Sequence, residues 1–342
     1  MKALVYEGPR EMNIREVEKP VARSGDVLIK VVYSGICGSE LSGFLGQSSL
    51  RKPPCVFGHE FAGQIVEIGP DVSPELGLAV GGRVTANPLV TCGTCRYCRA
   101  GQEQLCTSRQ LLGAALPGSN AHYVSVPARS IFPLPDSLSY EQATLAEPIA
   151  YAVHVANLAD IQPEHRIAIH GMGPIGLFVL QVARHRGAHQ VFVVDTNEER
   201  LAIAQALRAV EVLNPAQCDT VAIIRERADG LGADIVVDAV GSSVTRLNAV
   251  LSARMGGTVV WSGLHSAESS LPINDMIRQE IRTMGAFAYS AREFGQALDL
   301  LAQGAVGLRD EWMVKSPLED GALWFDRLLG NPGGVAKVLL TP

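Results

Sequence analysis

Apolar and polar positions fall into two regimes along the chain. Through about residue 145 the apolar runs are short and closely punctuated. Residues 27–33 and 61–68 are strand candidates bounded by Gly, Pro and Asp. The opening residues read as a strand ending in a turn at Gly8-Pro9, and 130–136 reads as an edge strand leading into a linker. Long helical periodicity is absent there. From about residue 166, short apolar strands alternate with helix-length segments. The strands expected are 166–170, 190–195, 211–214, 233–239, 257–261 and 281–287, with helices such as 174–186 and 198–208 between them. Val191-Phe192-Val193-Val194 and Ile235-Val236-Val237 are apolar throughout, as strands covered on both faces must be. Such alternation builds a parallel, doubly wound α/β sheet. A helix at 292–303 and a closing strand at 336–340 return the tail to the β-rich part. The expected division is therefore 1–146 with 289–342, and 147–288.

Composition narrows the picture. The 342 residues are 47% hydrophobic and 19% charged, which excludes global disorder and suits two cores. With 29 Lys+Arg against 35 Asp+Glu, the net charge of −6 argues against nucleic acid and anionic membrane as partners. No apolar run approaches the roughly 18 residues of a membrane helix. The opening run is too short for an export signal, so a cytoplasmic chain is expected. Seven cysteines in that setting point to thiols or metal rather than disulfides.

Three constellations carry chemistry. Cys92, Cys95, Cys98 and Cys106 follow C-x2-C-x2-C-x7-C within a lobe at 88–109. Four thiolates at this spacing can enclose one tetrahedral zinc and leave it no open position, a structural arrangement. An iron–sulfur cluster or unpaired thiols are the alternatives; a ferredoxin run would continue x3-C-P, and Cys106 is followed by Thr107. The second constellation is Cys37, His59, Glu60 and Glu147. One thiolate, one imidazole and carboxylates can form a catalytic zinc site with an exchangeable position. Taken singly, each also reads as a packed cysteine or a capped loop. Cys55 and Cys218 have no partner pattern and read as structural thiols.

The third is Gly171-Met172-Gly173-Pro174-Ile175-Gly176, a G-x-G-x-x-G that follows an expected strand and opens a helix. Gly171 allows the tight turn, Gly173 the approach of a pyrophosphate, and Gly176 close helix packing. The helix start offers free N–H groups to phosphate. Asp195, 19 residues after Gly176, can bind both ribose hydroxyls and would repel a 2′-phosphate, so NAD is favoured over NADP. Arg200 either flanks the adenine or is a solvated helix residue.

Taken in order, these features resemble the zinc-dependent medium-chain dehydrogenase/reductase family over essentially the whole chain. The most specific segments are Gly35-Ile36-Cys37-Gly38-Ser39, Gly58-His59-Glu60, the cysteine lobe and the glycine fingerprint. Glu147-Pro148 stands where alcohol dehydrogenases place a zinc-binding cysteine, which draws the resemblance toward the polyol branch, the sorbitol and galactitol-phosphate dehydrogenases. The resemblance implies a GroES-like catalytic domain and a Rossmann NAD-binding domain, with two zinc ions per chain. It implies that Cys37, His59 and Glu60 or Glu147, or both in turn, hold catalytic zinc. Ser39 would meet the substrate oxygen, and Val240-Gly241 and Gly263-Leu264 would face the nicotinamide. The implied reaction passes a hydride between a secondary alcohol of a polyol, polyol phosphate or cyclitol and NAD.

Two positions depart from the family pattern. Glu40 replaces an Asp common after the Ser, and Ser42 replaces a proton-relaying His, for which none of the eight histidines is an obvious substitute. Competing readings are a 3-hydroxy amino acid or simple alcohol dehydrogenase on the same fold, and a catalytically silent nucleotide sensor. The strand at 281–287 would be an exposed apolar edge, so a homo-oligomer, dimer or tetramer, is expected.

Overall fold

The computed structural model describes residues 1–209 and 211–342. The chain forms two compact units, Met1–Glu147 with Tyr289–Pro342, and Pro148–Ala288. Glu147 falls in the first unit rather than the second; its carboxylate accepts the Tyr289 hydroxyl, which belongs to that unit.

The first unit centres on a seven-stranded sheet. Its path runs Ile131–Pro133, Arg83–Ala86, Glu60–Ile68, Asp26–Gly35, Lys337–Thr341, Met313–Pro317, with Tyr123–Pro127 also paired to Asp26–Gly35. Val27, Ile29 and Val31 alternate inward against Phe61, Ile65, Val84, Val124 and Val126, the period-two pattern of one buried face. A second cluster joins Leu4, Tyr6, Phe44, Phe57, Phe325 and Leu340, with the Tyr6 and Phe57 rings stacked at 5.0 Å. The register matters for chemistry. Gly35 pairs with Glu60 on one side and with Leu339 on the other. That places the start of Glu60–Ile68, the chain leading to Cys37, and Lys337 side by side.

Two helices here escape the sequence pattern. Gly38–Phe44 is seven residues long with two glycines and two serines, too short to show periodicity. It starts because the Cys37 N–H donates to Glu40 Oε2 at 3.3 Å, closing the first turn with a side chain. Gly321–Gly330 buries Phe325 against the second cluster.

The second unit is a six-stranded parallel sheet in the order Glu211–Leu213, Gln190–Val194, Arg166–His170, Ala233–Asp238, Ala253–Trp261, Arg282–Gly285. This is the doubly wound order with its switch point between Arg166–His170 and Ala233–Asp238. Helices Pro174–His185, Glu198–Ala206, Thr220–Arg227 and Ser243–Ser252 connect the first five strands. The sixth strand is shorter than 281–287, and three of its four residues are exposed. Ile281 leaves it to pack against the core, and Phe287 lies beyond its end.

Candidate active site and the two metal-binding clusters

One donor set is mixed, with His59 and Glu60 buried and Cys37 half-buried. The ligand atoms of Cys37, His59 and Glu60 all lie within 4.8 Å of one another. Each is held by something behind it. His59 Nδ1 is 2.9 Å from Glu40 Oε1, which leaves Nε2 as the nitrogen for a metal. Glu40 is fully buried and also accepts the Gly58 N–H at 2.8 Å. Burial pushes the Glu40 carboxyl up, but His59, Arg51 and the Gly58 N–H outweigh it and hold the carboxyl below its ordinary range. Glu40 is thus the carboxylate that orients the imidazole, a role its position as a departure from the common Asp did not reveal.

Glu60 Oε2 accepts from Lys337 Nζ at 2.6 Å, with both side chains 1% exposed. Lys337 also donates to the Ile36 carbonyl oxygen at 3.2 Å. Burial lowers the Lys337 ammonium, but Glu60 and Cys37 outweigh it and raise it above its usual value. A buried charge persists only with such partners. Nothing in the local sequence marks Lys337; it reaches the site through the register of the closing strand.

Glu147 lies in the first turn of Ala146–Leu158. It interacts electrostatically with His59 and Glu60 but is not in the tight Cys37–His59–Glu60 group, and it accepts the Tyr289 hydroxyl at 2.7 Å. Burial, reinforced by Glu60, raises its carboxyl to about 7. Ser39 is exposed at the start of Gly38–Phe44, with its hydroxyl 3.4 Å from Cys37 Sγ. Ser42, in the same helix, is also exposed.

The second donor set is all sulfur. Cys92–Cys98, Cys95–Cys98 and Cys92–Cys106 are separated by 3.9, 3.5 and 3.6 Å between sulfurs. These are too long for a disulfide, and a tetrahedron of Zn–S bonds of about 2.3 Å has edges of roughly 3.8 Å. The set fits zinc. The Cys95 and Cys92 N–H groups donate to the sulfurs of Cys92 and Cys106 at 3.3 and 3.4 Å. N–H groups of Thr94 and Cys95 draw the Cys92 thiol down to about 6, toward the thiolate that binds metal. The short ribbon of Leu89–Val90 and Gln110–Leu111 closes the lobe at its base.

In the second unit, Gly171 takes φ +96°, and a Cβ at Gly176 would sit 1.8 Å from the Gly171 carbonyl oxygen, so both must be glycine. A Cβ at Gly173 would meet nothing within 4 Å: that side of the loop is open, as a pyrophosphate requires. Pro174 and Ile175 begin the helix whose buried side includes Leu177 and Phe178. Asp195 stands beside the loop, accepting the Met172 N–H at 2.6 Å and the Asn197 N–H at 2.8 Å. Arg200 lies in the following helix, its N–H capped by Asn197. Asp238 accepts the N–H groups of Val240 and Gly241, and its carbonyl accepts that of Gly263, which brings Val240-Gly241 and Gly263-Leu264 together. These residues fit a dinucleotide.

Comparison with known proteins agrees with both halves. Residues 23–136 match the alcohol dehydrogenase GroES-like domain, and 174–303 match the zinc-binding dehydrogenase domain. D-arabitol-phosphate dehydrogenase of Enterococcus avium is 36% identical over 99% of this chain and 97% of its own. Sorbitol dehydrogenase of Bacillus subtilis (strain 168) is 33% identical over 100% and 97%. A zinc-binding dehydrogenase of Sinorhizobium meliloti 1021, solved with NADP, superposes with a TM-score of 0.90 at 30% identity, covering 100% and 99%. The chain belongs to the zinc-dependent medium-chain dehydrogenase/reductase family. Within that family it falls in the polyol branch.

Proposed function

We propose that this enzyme oxidises a secondary hydroxyl of a polyol, polyol phosphate or cyclitol and passes the hydride to NAD in preference to NADP. The observation that carries the reading is the carboxylate-rich donor set, Cys37 and His59 with Glu60 beside them and Glu147 nearby. When bound, zinc supplies Lewis acidity toward an alcohol oxygen, and NAD supplies the hydride acceptor. The chain's own groups do the rest. Cys37, His59 and Glu60 or Glu147 hold the catalytic metal, and Cys92, Cys95, Cys98 and Cys106 hold a second, structural zinc. Glu40 fixes the imidazole, and Lys337 restrains Glu60. Ser39 Oγ accepts a hydrogen bond from the substrate hydroxyl, whose proton leaves through Ser39 or water. The open face at Gly173 binds pyrophosphate, and Asp195 favours a ribose bearing free hydroxyls. Glu60 and Glu147 can accept hydrogen bonds from neighbouring substrate hydroxyls, which penalises an alcohol lacking them.

The test is NADH formation with a panel of sorbitol, galactitol, their phosphates and an inositol against 2-butanol and cyclohexanol. A polyol or its phosphate should exceed the simple alcohols in kcat/KM by at least about tenfold, or 1.4 kcal/mol. Equal or better turnover of the simple alcohols would remove the polyol reading. The enzyme is further proposed to be cytoplasmic and homo-oligomeric. The edge strand Arg282–Gly285 is flanked by exposed Ile273, Ile277 and Phe287, an edge that invites pairing. Among the described residues no helix is long and apolar enough to cross a membrane. Sedimentation at micromolar concentration giving only 36.5 kDa would remove the oligomer.

A further inference from the structure

Arg51 is 4% exposed, and its sequence context gives no hint of a role. Its guanidinium makes three hydrogen bonds, two to Ser39 at the start of the Gly38–Phe44 helix and one to Gly113. Nη2 donates to Ser39 Oγ at 3.2 Å and Nη1 to the Ser39 carbonyl oxygen at 3.1 Å. Nε donates to the Gly113 carbonyl oxygen at 3.1 Å, and the group lies 5.4 Å from the centre of the Phe57 ring. Among the described residues no carboxylate forms an ion pair with it. The buried Glu40 carboxylate offsets the Arg51 charge through space, yet none of the three hydrogen bonds goes to that carboxylate: two are spent on Ser39 and one on Gly113. A planar fork can seize a backbone carbonyl and its own residue's hydroxyl together, which fixes both the position and the rotamer of one serine.

We propose that Arg51 is a positioning residue that aims the Ser39 hydroxyl. With an Arg51 N–H lodged against Oγ, the serine's own proton must point away from the guanidinium. In the structure it points at Cys37 Sγ, 3.4 Å away. One Oγ lone pair is occupied, and the other stays available to a substrate hydroxyl. This inference rests on the reading above in which Ser39 meets the substrate. It adds that the hydroxyl is oriented by a buried cation from the 46–54 loop, in a chain where the relay position carries Ser42.

The test couples two readouts in Ser39→Ala, Arg51→Met and the double variant. The first is the thiolate-to-metal charge-transfer band of protein loaded with cobalt(II), which reports the hydrogen bond onto Cys37 Sγ without any turnover. Arg51→Met should shift this band in the same direction as Ser39→Ala, and the double variant should add nothing. The second is kcat/KM on the best polyol substrate. Arg51→Met should lower it by roughly 10²-fold, mainly through kcat, the size expected of a misplaced catalytic group. The same substitution should cost almost nothing more once Ser39 is Ala. Arg51→Lys keeps the charge but not the fork, and should recover the fold while leaving the band displaced; it replaces Arg51→Met should that variant not fold. A band moved by Ser39→Ala but not by the Arg51 variants, a band moved by neither, or additive losses in the double variant would each overturn the proposal. A coupled band shift in a protein that oxidises no polyol would refute the substrate reading and leave the clamp standing.

Discussion

The cysteine lobe and the Cys37 site both offer a metal a set of donors, and they are assembled in opposite ways. The lobe draws all four sulfurs from residues 92–106, and Cys92 stands exposed. The Cys37 site gathers residues 37–40, 51, 59–60, 147, 289 and 337 from far along the chain, with Glu40, Arg51, His59, Glu60, Tyr289 and Lys337 buried, and sheet register brings Glu60 and Lys337 beside the chain leading to Cys37. In the lobe the sulfurs are supported by neighbouring backbone N–H groups. In the Cys37 site His59 is held by Glu40, Glu60 by Lys337 and Glu147 by Tyr289. A cluster whose task is to stay closed can be written in one short segment. On the proposed reading, in which the Cys37 set keeps a position open for substrate, its donors need restraint from behind, and Glu40, Lys337 and Tyr289 stand where they can give it.

The contrast can be broken most sharply at the ligands. His59→Ala should lower kcat/KM by at least about 10³-fold, because several kcal/mol of Lewis-acid assistance go with the metal. Bound zinc should fall by one ion per chain. Retained activity in this variant would show that the buried set is not the reacting centre. Next comes the restraint on Glu60. Lys337→Met strands a buried carboxylate and should cost about 3–5 kcal/mol in denaturant unfolding. Adding Glu60→Gln should return part of that loss, and a double variant no more stable than Lys337→Met would contradict the pairing.

How much of this was legible before the fold tells the same story. The cysteine lobe, the glycine fingerprint and the alternating strands are local patterns; all six strands are present, though the fifth starts earlier than 257 and the sixth is shorter than 281–287. Cys37, His59 and Glu60 were named from short motifs. Their supports were not: Lys337 is separated from Glu60 by 277 residues and Tyr289 from Glu147 by 142. No spacing rule reaches that far: sheet register sets the Lys337 contact, and the Tyr289 contact joins a loop residue to the first turn of a helix. Gly38–Phe44 was missed for a different reason, its start being set by a side-chain bond rather than by periodicity.

The smaller effects sharpen the comparison. Asp195→Gly should weaken NAD binding by roughly 2–4 kcal/mol, at 1–2 per ribose hydrogen bond, and shift preference toward NADP. Wild-type protein that already prefers NADP would contradict the role given to Asp195. Cys106→Ser should open the lobe locally, with protease cleavage appearing within 88–109 while global stability falls by only about 1–2 kcal/mol. Global unfolding in its place would mean that the lobe supports more of the first unit than its short ribbon suggests.

The most direct measurement follows bound zinc and polyol-dependent NADH formation together while a chelator acts on freshly purified protein. The account predicts two zinc ions per chain at the start. Activity should disappear in step with the first ion, drawn from the exchangeable Cys37 site, while the four-thiolate ion remains and the protein stays folded. Fully active protein holding one zinc or fewer, or activity that survives loss of the exchangeable ion, would contradict it.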